Sequence, residues 1–363
     1  MSDILIVGGG IIGMLTAREL SLAGMKVTIV EQGKVGQESS WAGGGIISPL
    51  YPWRYLAPVS ELARWGQAYY PELIDNINAG SGLDAEIIQN GLLVFCDEHK
   101  AALSWANEWQ SNLQLVDKNE IIDLEPELSA ELAASQQGIW MPEIRQVRNP
   151  RLVKTLRKYL ENQSVKFIEN TTVTGFIEQN GRVAGVKSNS SEIFADKVML
   201  AGGAWSANLL KNINISVDVE PVKGQMILFK TEPNTVKRII LSQDRYIIPR
   251  RDGRVLVGST VEHTGFEKEI TDSACEELKQ EAYRIIPCLQ QAAVEHHWAG
   301  LRPGSKNGIP YICPIPEHEG LFLNAGHFRN GVVLGAASAR LAADLILERN
   351  PIIEPSYYSV DVS

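Results

Sequence analysis

The chain has 363 residues, a hydrophobic fraction of 44% and a formal net charge of −9 from 34 basic and 43 acidic residues. That length allows two domains or one large interrupted one around an ordinary globular core. The acidic balance argues against a nucleic-acid surface, no apolar run is long enough to cross a membrane, and the first residues lack the basic region of a signal peptide. The four cysteines, Cys96, Cys275, Cys288 and Cys313, form no Cys-x-x-Cys pair and read as reduced thiols of a cytoplasmic protein. The six histidines give no metal pattern; adjacent His296 and His297 on a strand would point to opposite faces.

An apolar strand beginning at Asp3 runs into Gly8-x-Gly10-x-x-Gly13, followed by a helical pattern over 14–22 and a second strand over 26–30 that ends at Glu31. This is a complete dinucleotide-binding βαβ unit. Gly8 permits the tight turn, Gly10 lacks the Cβ that would block a pyrophosphate, and Gly13 lets the helix approach the sheet. Unpaired amides at the helix start, with the helix dipole, attract phosphates. Glu31 stands where a ribose-binding acid belongs, and its charge disfavours the 2′-phosphate of NADP. The motif does not say which dinucleotide binds.

Residues 33–50 are dense in glycine and serine and read as a loop against a ligand. Helices are expected over 58–78, 101–113, 118–124 and 151–162, the last with Asn149 as N-cap and Pro150 at its first position. Strands are expected over 91–96, 166–169, 172–178, 182–188 and 197–201, with Asn180-Gly181 as a hairpin turn. From 225 the texture changes to strands over 226–230, 245–249, 254–258 and 295–300, interrupted by a helix over 272–286. A strand over 321–325, a turn and a helix over 332–348 close the chain. Nucleotide-fold elements thus recur at the start, middle and end. The expected class is α/β (α+β): a Rossmann-like FAD-binding domain made of 1–80, 140–218 and 300–363, with an inserted antiparallel-sheet substrate domain made of 81–139 and 219–299.

VGGGIIG at 7–13, Glu31, SSWAGGGI at 39–46, VKGQ at 222–225, YIIPR at 246–250, WAGLRPG at 298–304 and GHFRNG at 326–331 together resemble the D-amino-acid oxidase superfamily of FAD enzymes. Within it they resemble the glycine-oxidising branch tied to thiamine biosynthesis. The resemblance covers essentially the whole chain. It implies noncovalent FAD and the oxidation of glycine, sarcosine or small D-amino acids, with molecular oxygen as acceptor. The products would be hydrogen peroxide and an imine that hydrolyses or enters the thiamine thiazole. A D-amino-acid or sarcosine oxidase, a dehydrogenase with another acceptor, and a flavin-binding protein without turnover remain open.

Arg302 suits a substrate carboxylate, because a planar guanidinium meets it with two parallel charge-assisted bonds. By residue type alone an interdomain salt bridge is an equal reading; the resemblance assigns the grip. It also places the Tyr246 hydroxyl at the same carboxylate and Arg329 near the substrate amine or the pocket mouth. The last helix is expected to point its N-terminus at the flavin pyrimidine edge, bringing His327, Phe328, Arg329, Asn330, Gly331, Val332 and Val333 to the cofactor. The same likeness brings Gly8, Gly10, Ile11, Ile12, Gly13, Glu31, Gln32, Ser39, Ser40, Gly44, Gly45, Ile46, Val173, Ala201, Gly202 and Trp205 to FAD. No histidine or carboxylate stands at a matched pocket position, which fits direct hydride transfer from a neutral amine. Val261 and residues 51–55 match the pocket or its entrance. Cys313 is displaced from the position where sarcosine oxidases attach FAD. Relatives imply a homotetramer.

Overall fold

The computed structural model describes residues 2–135 and 137–360. Two eight-stranded sheets organise it. The first has a parallel centre in the order Leu321–Ala325, Glu192–Leu200, Ser2–Val7, Val27–Val30, Lys166–Ile168, with Tyr311–Pro314 added antiparallel at one edge. Its two central strands carry the apolar runs 4–7 and 198–200 where both faces are covered. Helices Ile11–Leu22, Ala57–Ser81, Asn149–Asn162 and Gly331–Ile346 bury one face around Ile4, Ile6, Tyr70 and Leu341. The hairpin Val173–Gln179 and Arg182–Ser188 covers the other around Leu5, Val183 and Val198. Asn180 and Gly181 both have positive φ, 54° and 79°, as a two-residue primed turn demands.

The second sheet runs Ala293–Ser305, Val219–Lys230, Arg254–Gly258, Arg245–Pro249, Ile239–Ser242, Leu92–Phe95, Gly138–Met141, Gln114–Val116. All its neighbours are antiparallel except Ile239–Ser242 with Leu92–Phe95. Helix Asp272–Ile285 packs on one face, and the opposite face, with Met226, Tyr246 and Ile248, turns toward the glycine loop. The α/β class with both sheet types is therefore present as the sequence implied.

Several local expectations need correction. The strands expected over 226–230 and 295–300 extend to Val219–Lys230 and Ala293–Ser305, so Arg302 lies inside a strand, paired with Val222. Pro303 lies within Ala293–Ser305, an edge strand, where a missing donor is tolerated. The strand over 197–201 begins at Glu192, because its polar first half pairs with the hairpin. The helix over 101–113 is His99–Trp109, and Gln114–Val116 follows as a strand. Asn149 is not an N-cap: Arg148 holds that place without a side-chain bond. Asn149 is buried, and its Nδ2 donates to the Ser40 carbonyl at 2.8 Å, tying the helix start to the glycine loop.

Candidate active site

A cleft of about 330 Å³ runs between the two sheets. One end is built on the first βαβ unit. Gly8 has φ 110°, and a Cβ there would sit 2.3 Å from the Ala201 carbonyl oxygen. A Cβ on Gly13 would sit 2.0 Å from the Gly8 carbonyl oxygen, so this glycine sets how closely helix and strand turn pack. Gly10 caps helix Ile11–Leu22 without a side chain, and the Ser40 hydroxyl accepts the Ile11 N–H at 2.8 Å. Glu31 is buried and already oriented: Oε2 accepts the Gly9 N–H at 2.8 Å and Oε1 the Gly33 N–H at 3.0 Å. A carboxylate has about four acceptor sites, so capacity remains for a ribose hydroxyl.

The middle of the cleft is the glycine loop. Gly45 has φ 81°, and its absent Cβ would meet the Val147 carbonyl oxygen at 2.0 Å. Arg250 holds this turn from behind, donating to the carbonyls of Gly44 at 2.8 Å and Val147 at 3.1 Å and to the Gln146 side chain. Burial pulls the Arg250 guanidinium down to about 10, still charged at neutral pH. Arg250 ends the YIIPR motif, yet nothing in its residue type announces that it supports the loop.

At the other end, Arg302 donates from Nη1 to the carbonyls of Thr260 at 3.2 Å and Lys223 at 3.4 Å, and from Nη2 to Ser259 Oγ at 2.6 Å. All are neutral acceptors, and neither Arg302 nor Arg329 makes an ion pair among the described residues. Burial lowers the Arg302 pKa from its ordinary value, Tyr246 opposes this and nearby Arg329 adds to it. Gly224 gives the guanidinium its space, since a Cβ there would lie 2.1 Å from Nη2. Tyr246 is buried beside it, its hydroxyl 3.7 Å from the Met226 sulfur. Gly224, Met226, Ser259 and Thr260 went unassigned by sequence reasoning; VKGQ was the one available signal.

Of the expected residues, Gly8, Gly10, Ile11, Ile12, Glu31, Gln32, Ser39, Ser40, Gly44, Gly45, Ile46, Val173, Ala201, Gly202, Trp205, Tyr246, Arg302, His327, Phe328, Arg329, Gly331 and Val332 all line the cleft. Gly13, Asn330 and Val333 do not; they pack just behind it. The His327 ring faces its own helix, with Nε2 2.9 Å from Ser338 Oγ, and burial holds its pKa down to about 3. Val261 is exposed outside the cleft lining, and Tyr51 is tied instead to the Asp244 backbone at 3.1 Å. Cys313 is buried in strand Tyr311–Pro314 away from the cleft, its thiol pushed up to about 11 by burial.

This arrangement fits FAD. The glycine turn and the side-chain-free N-cap leave room for a pyrophosphate at a helix N-terminus. Helix Gly331–Ile346 likewise has no side-chain cap, and Arg329, which lines the cleft, has a buried donor without a partner at Nη2. Such a donor suits the acceptor-rich edge of a flavin ring.

Known proteins agree. The family model for FAD dependent oxidoreductase (DAO) matches residues 3–345. A glycine oxidase of Pseudomonas putida is 47% identical, with 98% of each chain covered. A bifunctional protein ThiO/ThiG of Trichormus variabilis is 31% identical over 98% of this chain and 55% of its own. The crystal structure of glycine oxidase from Geobacillus kaustophilus superposes with a TM-score of 0.94 at 26% identity, covering 100% of this chain and 99% of that one. The chain belongs to the DAO family of FAD-dependent oxidoreductases.

Proposed function

We propose that the protein is an FAD-dependent amine oxidase that converts glycine and other small amines, sarcosine and small D-amino acids among them, to an imine and hydrogen peroxide. The observation that carries this reading is Arg302: a guanidinium held only by neutral acceptors, beside a buried tyrosine, in a cleft that fits a flavin. Arg302 grips the substrate carboxylate and the Tyr246 hydroxyl supports it. Gly224 leaves the room that the grip needs. Arg329, which lines the cleft, serves the substrate amine or the cleft mouth.

Bound FAD supplies the two-electron acceptor that returns its electrons to oxygen. The chain's part is to hold the substrate Cα in place and to exclude water. No general base is assigned: His327 is turned to Ser338, and burial holds its pKa at about 3, too low to take up a proton at neutral pH. The imine hydrolyses to the 2-oxo acid and ammonia or amine, or is consumed in making the thiamine thiazole; the likeness to a ThiO/ThiG protein supports that route.

The cofactor is held noncovalently, a reading that the remote, buried Cys313 supports. The FAD-binding portion comprises 1–80, 140–218 and 300–363, and 81–139 with 219–299 forms the substrate portion. The protein works in the cytoplasm as a homotetramer. Among the described residues no helix is long and apolar enough to cross a membrane.

Glycine, sarcosine and D-alanine are added separately to the yellow protein without oxygen. Loss of the oxidised flavin spectrum with glycine, then peroxide on admitting air, is the expected result. No spectral change with any of the three refutes the reading, and bleaching without peroxide points to another electron acceptor.

A further inference from the structure

A buried lysine lies directly behind the substrate end and has no part in the chemistry above. Lys223 is 2% exposed. Its Nζ lies 2.9 Å from Glu262 Oε2 and donates to the Glu269 carbonyl at 3.2 Å. The two backbones are also paired: each N–H donates to the other's carbonyl at 2.9 Å. Glu262 Oε1 accepts from Gln225 Nε2 at 2.9 Å and from the Thr260 hydroxyl. Gln225 is fully buried, and its Oε1 accepts the Thr271 N–H at 2.9 Å. This is a closed network in which each member finds partners, the form in which buried polar groups are retained.

The network touches Arg302 twice. The carbonyls of Lys223 and Thr260 are two of the three acceptors that hold the guanidinium. Glu262 is also close enough for its charge to be felt at Arg302. An unpaired carboxylate in that position would offset the guanidinium's charge and so weaken its hold on a substrate carboxylate. The lysine offsets the Glu262 charge instead, so that the pair adds no net charge beside Arg302 and Arg329. We propose that Lys223 is a positioning residue for substrate recognition: by pairing with Glu262 it keeps the Arg302 guanidinium free for a substrate carboxylate. This rests on the reading that Arg302 binds that carboxylate.

The test titrates acetate into the FAD-loaded protein and follows the shift of the flavin spectrum. Lys223→Met, which strands the Glu262 charge, is expected to weaken acetate binding about tenfold. The double variant Lys223→Met/Glu262→Gln is expected to return to within about threefold of the natural protein, since both charges are gone. Glu262→Gln alone is expected to bind acetate at least as tightly as the natural protein. Equal weakening in all three variants, or no change in Lys223→Met, overturns the proposal in favour of a network that only supports the fold. If Lys223→Met does not retain FAD, Glu262→Gln decides alone: binding as tight or tighter supports the proposal, and weaker binding overturns it. A natural protein that binds FAD and no acetate refutes the carboxylate role of Arg302 itself, and this inference with it.

Discussion

At the Gly8–Gly13 end of the cleft the surface is backbone: amides, carbonyls and missing Cβ atoms set by one contiguous βαβ unit. At the Arg302 end it is side chain: a guanidinium and a phenol carried on two strands of the second sheet, held by residues from 223, 259 and 260. On the proposed reading, the first end recognises a shape shared by any dinucleotide, and the second recognises a charge and through it one class of substrate. Shape recognition of this kind fails when atoms are added, whereas charge recognition fails when the charge is moved or offset.

Adding atoms at the backbone end should have the largest effect. Gly13→Ala puts a methyl 2.0 Å from the Gly8 carbonyl oxygen, a backbone atom that cannot yield without separating helix from strand. The purified variant should carry no flavin absorbance; a yellow variant would break the assignment of that end to shape. Gly224→Ala is the matching insertion at the charged end. Its methyl, 2.1 Å from Arg302 Nη2, displaces a side chain and leaves the backbone in place. FAD should stay bound while kcat/KM for glycine falls about a hundredfold, measured by peroxide release.

His327 tests the junction between the two ends. Its folded pKa of about 3 lies below the ordinary value of 6.5, so the unfolded chain binds more protons between these pH values. The stability that neutral His327 contributes is complete above pH 6.5 and is lost as pH falls toward 3. Urea unfolding of the apoprotein should show a loss of about 2 kcal/mol from this group between pH 7 and pH 5, and His327→Asn should flatten that slope. The smallest change is expected from Glu31→Gln, which keeps one carbonyl acceptor: FAD affinity should drop about tenfold, read by fluorescence of released flavin.

The two ends also differ in how much of them could be read from residues. The βαβ unit is local: strand, turn, helix and acid follow within residues 2–31, and their spacing states the geometry. Arg302 and Tyr246 were found through motif likeness, because no spacing rule joins a residue on Ala293–Ser305 to one on Arg245–Pro249. Their supports were harder still. Gly224 reads as an unremarkable strand glycine until the register sets it opposite Gly300, beside Arg302. Short apolar strands such as Ile239–Ser242 and Gly138–Met141 give no periodic signal, since both faces are covered. Val261, expected at the pocket or its entrance, is exposed and does not line the cleft, although its neighbours Thr260 and Glu262 still bond to the backbone of strand Val219–Lys230.

The central claim is that the cofactor and the substrate carboxylate are held by separate means at separate ends. Arg302→Ala tests it most directly, with flavin content and glycine kinetics measured on the same preparation. The account predicts full FAD occupancy, with a KM for glycine raised by about two orders of magnitude or more. Loss of FAD together with activity, or a kcat/KM that barely moves, would contradict it.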